Sequence, residues 1–196
     1  MKKWSEKLSI SINSPVVLGF ASISLASLLL GIITQGFTTN LLFSVYRSSF
    51  LDPFTYIRFF GHIFGHADWV HFMSNMMLIL VVGPLLEEKY GSSNILFVIL
   101  ATALVTGIAN FLFFPYAKLL GASGVVFAFI LLSSLTSIKE GSIPLTFILV
   151  ALIYIGSELY EGAFVRNNIS NLTHILGGII GAVLGYIMNK YKMNKY

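Results

Sequence analysis

A chain of 196 residues, 56% of them hydrophobic and only 10% charged, is not a water-soluble domain, which would carry roughly a quarter charged residues. Its net charge of +4 follows from lysines and arginines gathered on one side of a membrane, so it calls for no nucleic-acid partner. Cysteine is absent, which excludes disulfides and thiolate metal sites.

A spanning helix needs about 20 mainly apolar residues to cross a hydrocarbon core of roughly 30 Å. Six stretches qualify as candidates: Pro15 to Thr34, Trp69 to Leu86, Ile95 to Phe114, Ala122 to Leu135, Leu145 to Tyr160 and Ile169 to Asn189. Lys2, Lys3 and Lys7 precede the first of them. The run that follows is too long for a secretion signal and no convincing small-x-small cleavage site follows it, so it reads as a retained helix. The loop over residues 35–68 is long, yet it is rich in aromatics, among them Phe37, Phe43, Tyr46, Phe50, Phe59 and Phe64. Such a segment belongs in the outer interface, where aromatic rings and short amphipathic helices rest. The second, fourth and fifth spans are short, which predicts that neighbours shelter them or that they begin below the surface. The last span is built from Gly177, Gly178, Gly181, Ala182 and Gly185. His174, Gly178, Gly181 and Gly185 share one helical face, and small residues let helix backbones approach in lipid. That face is expected to meet another helix.

The fold class is therefore an all-α polytopic membrane protein, a six-helix bundle with a long interfacial first loop. No repeat, low-complexity segment or linker divides it, so one domain is expected over residues 1–196. Basic residues concentrate on cytoplasmic segments. Eight of the 12 lysines and arginines (Lys2, Lys3, Lys7, Lys89, Lys139, Lys190, Lys192 and Lys195) fall on one side, against Arg47, Arg58, Lys118 and Arg166 on the other. Both ends are then cytoplasmic. The frequent Asn, Lys and Ile fit a bacterial cell membrane.

Polar residues within hydrophobic spans are costly and usually face a bundle interior. His71 and Asn75 lie four residues apart on one face of the second span, Ser123 opens the fourth, and His174 lies near the start of the sixth. At about 1.5 Å per residue, all four sit roughly 3 to 10 Å inside the outer ends of their spans, in one layer. A serine hydroxyl becomes nucleophilic when a neighbouring base takes its proton, and neutral histidine is the usual base. No Asp or Glu reaches that depth, so a Ser123–His174 dyad is expected, its ring packed by Phe127 one turn after the serine. The Asn75 amide, the His71 ring N–H and the backbone N–H of Ser123, at a helix start, are candidate oxyanion donors. Gly121, Ala122 and Gly124 around Ser123 leave room for a substrate backbone and for turns that bulky residues resist.

Taken singly, each feature has a plainer reading. GASG packs helices in any membrane protein, His174 serves equally as an interhelical hydrogen-bonding residue or part of a proton path, and His71 with Asn75 is structural glue. His62 and His66 read as loop structure. Metal binding is disfavoured because no carboxylate or cysteine completes a ligand set, and Glu87 and Glu88 read as a solvated helix boundary.

Together, HIFGHADWVHFMSN (His62 to Asn75), GPLLEEKYG (Gly83 to Gly91), GASG (Gly121 to Gly124) and HILGGIIG (His174 to Gly181) resemble the rhomboid family of intramembrane serine proteases, in the family's order. The resemblance implies that Ser123 is the nucleophile and His174 the general base, with His71, Asn75 and the Ser123 N–H binding the oxyanion. It gives Arg58, His62 and His66 structural roles. It also implies a cofactor-free enzyme in the lipid bilayer that cleaves peptide bonds in or next to transmembrane segments of protein substrates. Phe127 stands where many relatives have tyrosine, Ile57 where tryptophan often precedes the arginine, and Lys89 where arginine often follows the glutamate. Two other functions compete: a catalytically inactive rhomboid-like membrane-protein binder, and a small proton-coupled transporter using His71 and His174. The transporter reading requires polar residues deeper in the second span, which instead continues MMLILVV.

Overall fold

The computed structural model of the chain describes residues 11–136, 142–164 and 168–193. Lys2, Lys3, Lys7, Lys139, Arg166 and Lys195, which carry part of the orientation argument, lie outside these residues. Among the described residues the protein is all-helical: α1 (Pro15–Ile33), α2 (Phe37–Leu42), α3 (Phe54–Gly61) leading into a 3-10 turn (His62–Phe64), α4 (Trp69–Tyr90), α5 (Ser92–Phe113), α6 (Ser123–Ser134), α7 (Leu145–Phe164) and α8 (Asn168–Met193). By length and apolar composition, α1, α4, α5 and the Asn171–Lys190 part of α8 are membrane-spanning, while Ser123–Ser134 and Leu145–Tyr154 are shorter apolar segments. This is an integral membrane helix bundle.

The 12 residues of α6 extend only about 18 Å, short of a bilayer core. The helix needs no greater length because it is enclosed by α4, α5, α7 and α8. Gly124, Val125, Val126, Ala128, Phe129, Leu131 and Leu132 are all buried. In lipid, water exclusion does not drive such association, so close packing must. Glycines on α8 supply it. A methyl group on Gly177 would run into the Gly124 carbonyl oxygen, one on Gly181 into the Ala128 carbonyl oxygen, and one on Gly185 would lie 2.8 Å from Leu132 Cδ1. The face of α8 against α6 is therefore His174, Gly177, Gly181 and Gly185. Gly178, expected on that face, instead turns to α7, where a methyl group would come within 2.8 Å of the Tyr154 ring.

The first loop holds α2, α3 and the 3-10 turn. A buried arginine anchors it: the Arg58 guanidinium donates to Asp52 Oδ2 at 2.6 Å, Ser48 Oγ at 3.1 Å, the Tyr46 hydroxyl at 3.1 Å and the Leu41 carbonyl at 3.4 Å. It also lies 4.6 Å from the centre of the Tyr46 ring. The hydrogen bond from Arg58 holds the Asp52 carboxyl below the usual carboxylate range. An isolated antiparallel bridge joins Val45 to Leu119, with both N–H···O distances 2.9 Å. Buried Asn110 of α5 braces it by donating to the Val45 carbonyl at 3.1 Å and the Ala117 carbonyl at 3.2 Å.

The opposite end corrects one expectation. Glu87 is not a solvated boundary but is buried at 3% exposure. Its carboxylate accepts from the backbone N–H groups of Val16 at 3.0 Å and Val17 at 2.9 Å, and from Ser92 Oγ at 2.7 Å. The first N–H groups of a helix lack intrahelical partners, and α1 begins with proline and has no side-chain cap of its own. A carboxylate from α4 fills that need and complements the helix dipole. Lys89 likewise donates to the Thr136 carbonyl just past the end of α6. Asn189 of α8 donates to the Tyr90 hydroxyl at 2.9 Å and the Leu135 carbonyl at 3.0 Å.

Candidate active site

Ser123 is the first residue of α6, and the backbone before it is fixed by an unusual turn. Gly121 has φ +128°, a conformation that favours glycine, and its N–H donates to the His62 carbonyl at 2.9 Å. Any side chain there would also collide with a neighbour, because a methyl group would fall 2.7 Å from His71 Nε2 and 4.0 Å from Asn75 Nδ2. The same distances put the His71 ring and the Asn75 amide beside the segment entering α6. Asp68 caps α4 by accepting from the His71 N–H at 2.8 Å, which starts the helix where these two residues share a face. The Asn75 amide donates to the His71 carbonyl at 3.1 Å, leaving a second N–H hydrogen.

Ser123 Oγ and His174 Nε2 are 2.8 Å apart. Both residues are partly exposed. The packed seam between α6 and α8 sets the spacing, since His174 stands one turn from Gly177, where the two backbones nearly touch. Phe127 backs the imidazole, with ring centres 4.5 Å apart and planes inclined at 45°. Behind Phe127 lies Tyr154 of α7, its ring centre 4.3 Å away. Sequence reasoning did not single out Tyr154, since one more aromatic in an apolar helix carries no periodic signal.

The expected supporting residues fall into two groups. His66 stands edge-on to His71, with ring centres 5.1 Å apart, and packs on Phe72 at 5.4 Å. Its Nδ1 donates to the Phe64 carbonyl at 3.2 Å, and burial pulls its pKa down to about 4, so the ring is neutral at ordinary pH. His62 supports the turn before Ser123, its carbonyl accepting from the Gly121 N–H. Nδ1 donates to the Arg58 carbonyl at 3.2 Å, Nε2 is 3.2 Å from the Thr106 hydroxyl, and burial again pulls the pKa to about 4. Among the described residues no three His, Asp or Glu side chains gather in a metal-binding arrangement.

A bundle that presents a serine hydroxyl and an imidazole within hydrogen-bond reach, at the level of membrane-spanning helices, has the layout of a membrane-embedded hydrolase. Comparison with known proteins gives it a family. The family model for the Rhomboid domain matches residues 53–191, and the chain belongs to the rhomboid family. It is similar to rhomboid-related protein 2 of Mus musculus, with 31% identity over 142 residues covering 66% of this chain and 47% of the mouse protein. Rhomboid protease GlpG of Haemophilus influenzae is 25% identical over 169 residues, 81% of this chain and 84% of that protein. Rhomboid protease GluP of Bacillus subtilis is 30% identical over 149 residues, 73% of this chain and 28% of that protein. The chain thus spans about half the length of the mouse relative.

Proposed function

We propose that the protein is an intramembrane serine endopeptidase that cleaves peptide bonds in or next to the transmembrane segments of other proteins. In this reading His174 Nε2 takes the proton of Ser123 Oγ as the oxygen attacks the scissile carbonyl, forming a tetrahedral intermediate. The developing oxyanion is held by the Ser123 N–H, the free N–H of Asn75 and the ring N–H of His71. The imidazolium then protonates the leaving amine, so the C–N bond breaks and an acyl ester remains on Ser123. Water, deprotonated by the same imidazole, hydrolyses the ester and restores the serine. In this reading the imidazole is held in place by ring packing against Phe127.

The single observation that carries the reading is the 2.8 Å separation of Ser123 Oγ and His174 Nε2. Family membership adds support, since two of the similar proteins are named rhomboid proteases. The transporter reading loses ground, because the buried residues of α4 below Asn75 are Met76, Ile79, Gly83 and Leu86, which give a proton no onward path until Glu87. The expected substrates are single-span membrane proteins, and the lysine distribution supports both chain ends on the cytoplasmic side. The test is cleavage of a single-span reporter in liposomes. Wild type cuts it and Ser123→Ala does not; equal cleavage by both would remove the assignment.

A further inference from the structure

The groove between α6, α7 and α8 has no part in that chemistry. It encloses about 180 Å³ and is lined by Leu131, Phe147, Tyr154, Ile175, Gly178 and Ala182, among others. Apart from the Tyr154 hydroxyl, these side chains offer nothing polar. The lining runs from Phe147 to Tyr154 on α7 and from Ile175 to Ala182 on α8, seven steps of about 1.5 Å on each, so the groove follows the helix axes for roughly 10 Å. A volume of 180 Å³ over that length leaves a cross-section of about 18 Å². A whole helix, 10–12 Å across, needs roughly 80 Å² or more, so a neighbouring helix would reach into the groove only by its side chains. One extended hydrocarbon chain fits along it.

We propose that this groove holds a single acyl chain of a membrane lipid, and that the chain helps to seat α7. Water is excluded at this depth, so an unfilled groove would deny its lining the dispersion contacts that hold helices together in lipid. The helix α7 needs such support. Of its described side chains only Tyr154 is buried, while Leu149, Leu152 and Ile153 are exposed. Ala182 opens the groove, and Tyr154, packed against Gly178 and Phe127, closes its upper end. The occupied groove therefore borders the packing that backs His174, yet it would exist whether or not Ser123 is catalytic.

The full chain is reconstituted in phosphatidylcholine vesicles containing a lipid with a photoreactive diazirine on one acyl chain, and the labelled peptides are mapped. Label is expected to concentrate on residues 147–154 and 175–182 above the level on the exposed α1 residues Ile23 and Leu29. Ala182→Phe, which fills the groove, lowers that label several-fold, whereas Val183→Phe on the neighbouring exposed position leaves it unchanged. Label no denser than on α1, or insensitive to Ala182→Phe, overturns the proposal, as does displacement of the label by an added single-span peptide. Should Ala182→Phe not fold, Ala182→Leu serves in its place, and the wild-type distribution alone still decides. The same mapping in Ser123→Ala keeps this result separate from the protease reading.

Discussion

The helix α8 packs on α6 and on α7 by opposite rules. Toward α6 it presents Gly177 and Gly181, where the backbones approach until no added carbon fits, and Gly185, which packs on the Leu132 side chain. Toward α7 it presents Gly178, whose space the Tyr154 ring fills, and Ala182, where the space is not closed by protein but left as a groove. The same residue types thus serve opposite ends. Small residues weld helices when the partner offers backbone, and they leave a cavity where the partner's one large ring does not reach. The weld fixes the Ser123–His174 distance, while α7 buries only Tyr154 among its described side chains.

The sharpest way to break this contrast is Gly181→Val. The obstacle is the Ala128 backbone, which cannot rotate away, so the cost lies at or above the roughly 1–3 kcal/mol typical of overpacking. Labelling of Ser123 by a fluorophosphonate and cleavage of the reporter should both be lost; a variant with wild-type labelling would refute the weld. Glu87→Ala should cost about 1–3 kcal/mol through its unsatisfied buried N–H groups, read as earlier unfolding in denaturant. Its Ser123 labelling should survive, because α1 is not part of the seam, and Glu87→Gln should be milder because the amide oxygen still accepts.

Acid should separate the regions further. His62 and His66 have pKa values near 4 in the fold, against about 6.5 for an unfolded histidine. The native state favours their neutral rings, so this contribution is complete above about pH 6.5 and is lost as pH falls toward 4. Amide exchange at residues 62–66 should rise across that window before exchange at residues 128–132 does; simultaneous change would show one cooperative unit. The smallest effects belong to the ring behind the base. Phe127→Ala removes packing worth about 0.5–1.5 kcal/mol, up to roughly tenfold in kcat, whereas Phe127→Tyr keeps the ring and should leave kcat close to wild type.

Much of this was legible in the residues themselves. Charge-free runs mark the helices because lipid tolerates little else, and the aromatic first loop reads as interfacial for the same reason. Polar residues at matching depth bring His71, Asn75, Ser123 and His174 into one layer, since depth along a helix is a count of residues. Rotation is harder to read than depth. Gly178 satisfies the spacing of the α6-facing row as well as Gly177 does, and only the neighbours decide between them. Glu87 was misread because its partners are backbone N–H groups of α1, about 70 residues away in the chain, and backbone donors leave no trace in side-chain composition. Tyr154 was passed over for a related reason: its importance lies in what it touches.

The hydrogen bond from the Gly121 N–H to the His62 carbonyl has a bearing on biogenesis. The turn that aims Ser123 borrows its shape from a segment made some sixty residues earlier, on the far side of two membrane crossings. A nascent chain that has inserted α6 but not yet docked its amino-terminal aromatic loop would carry the serine without its geometry.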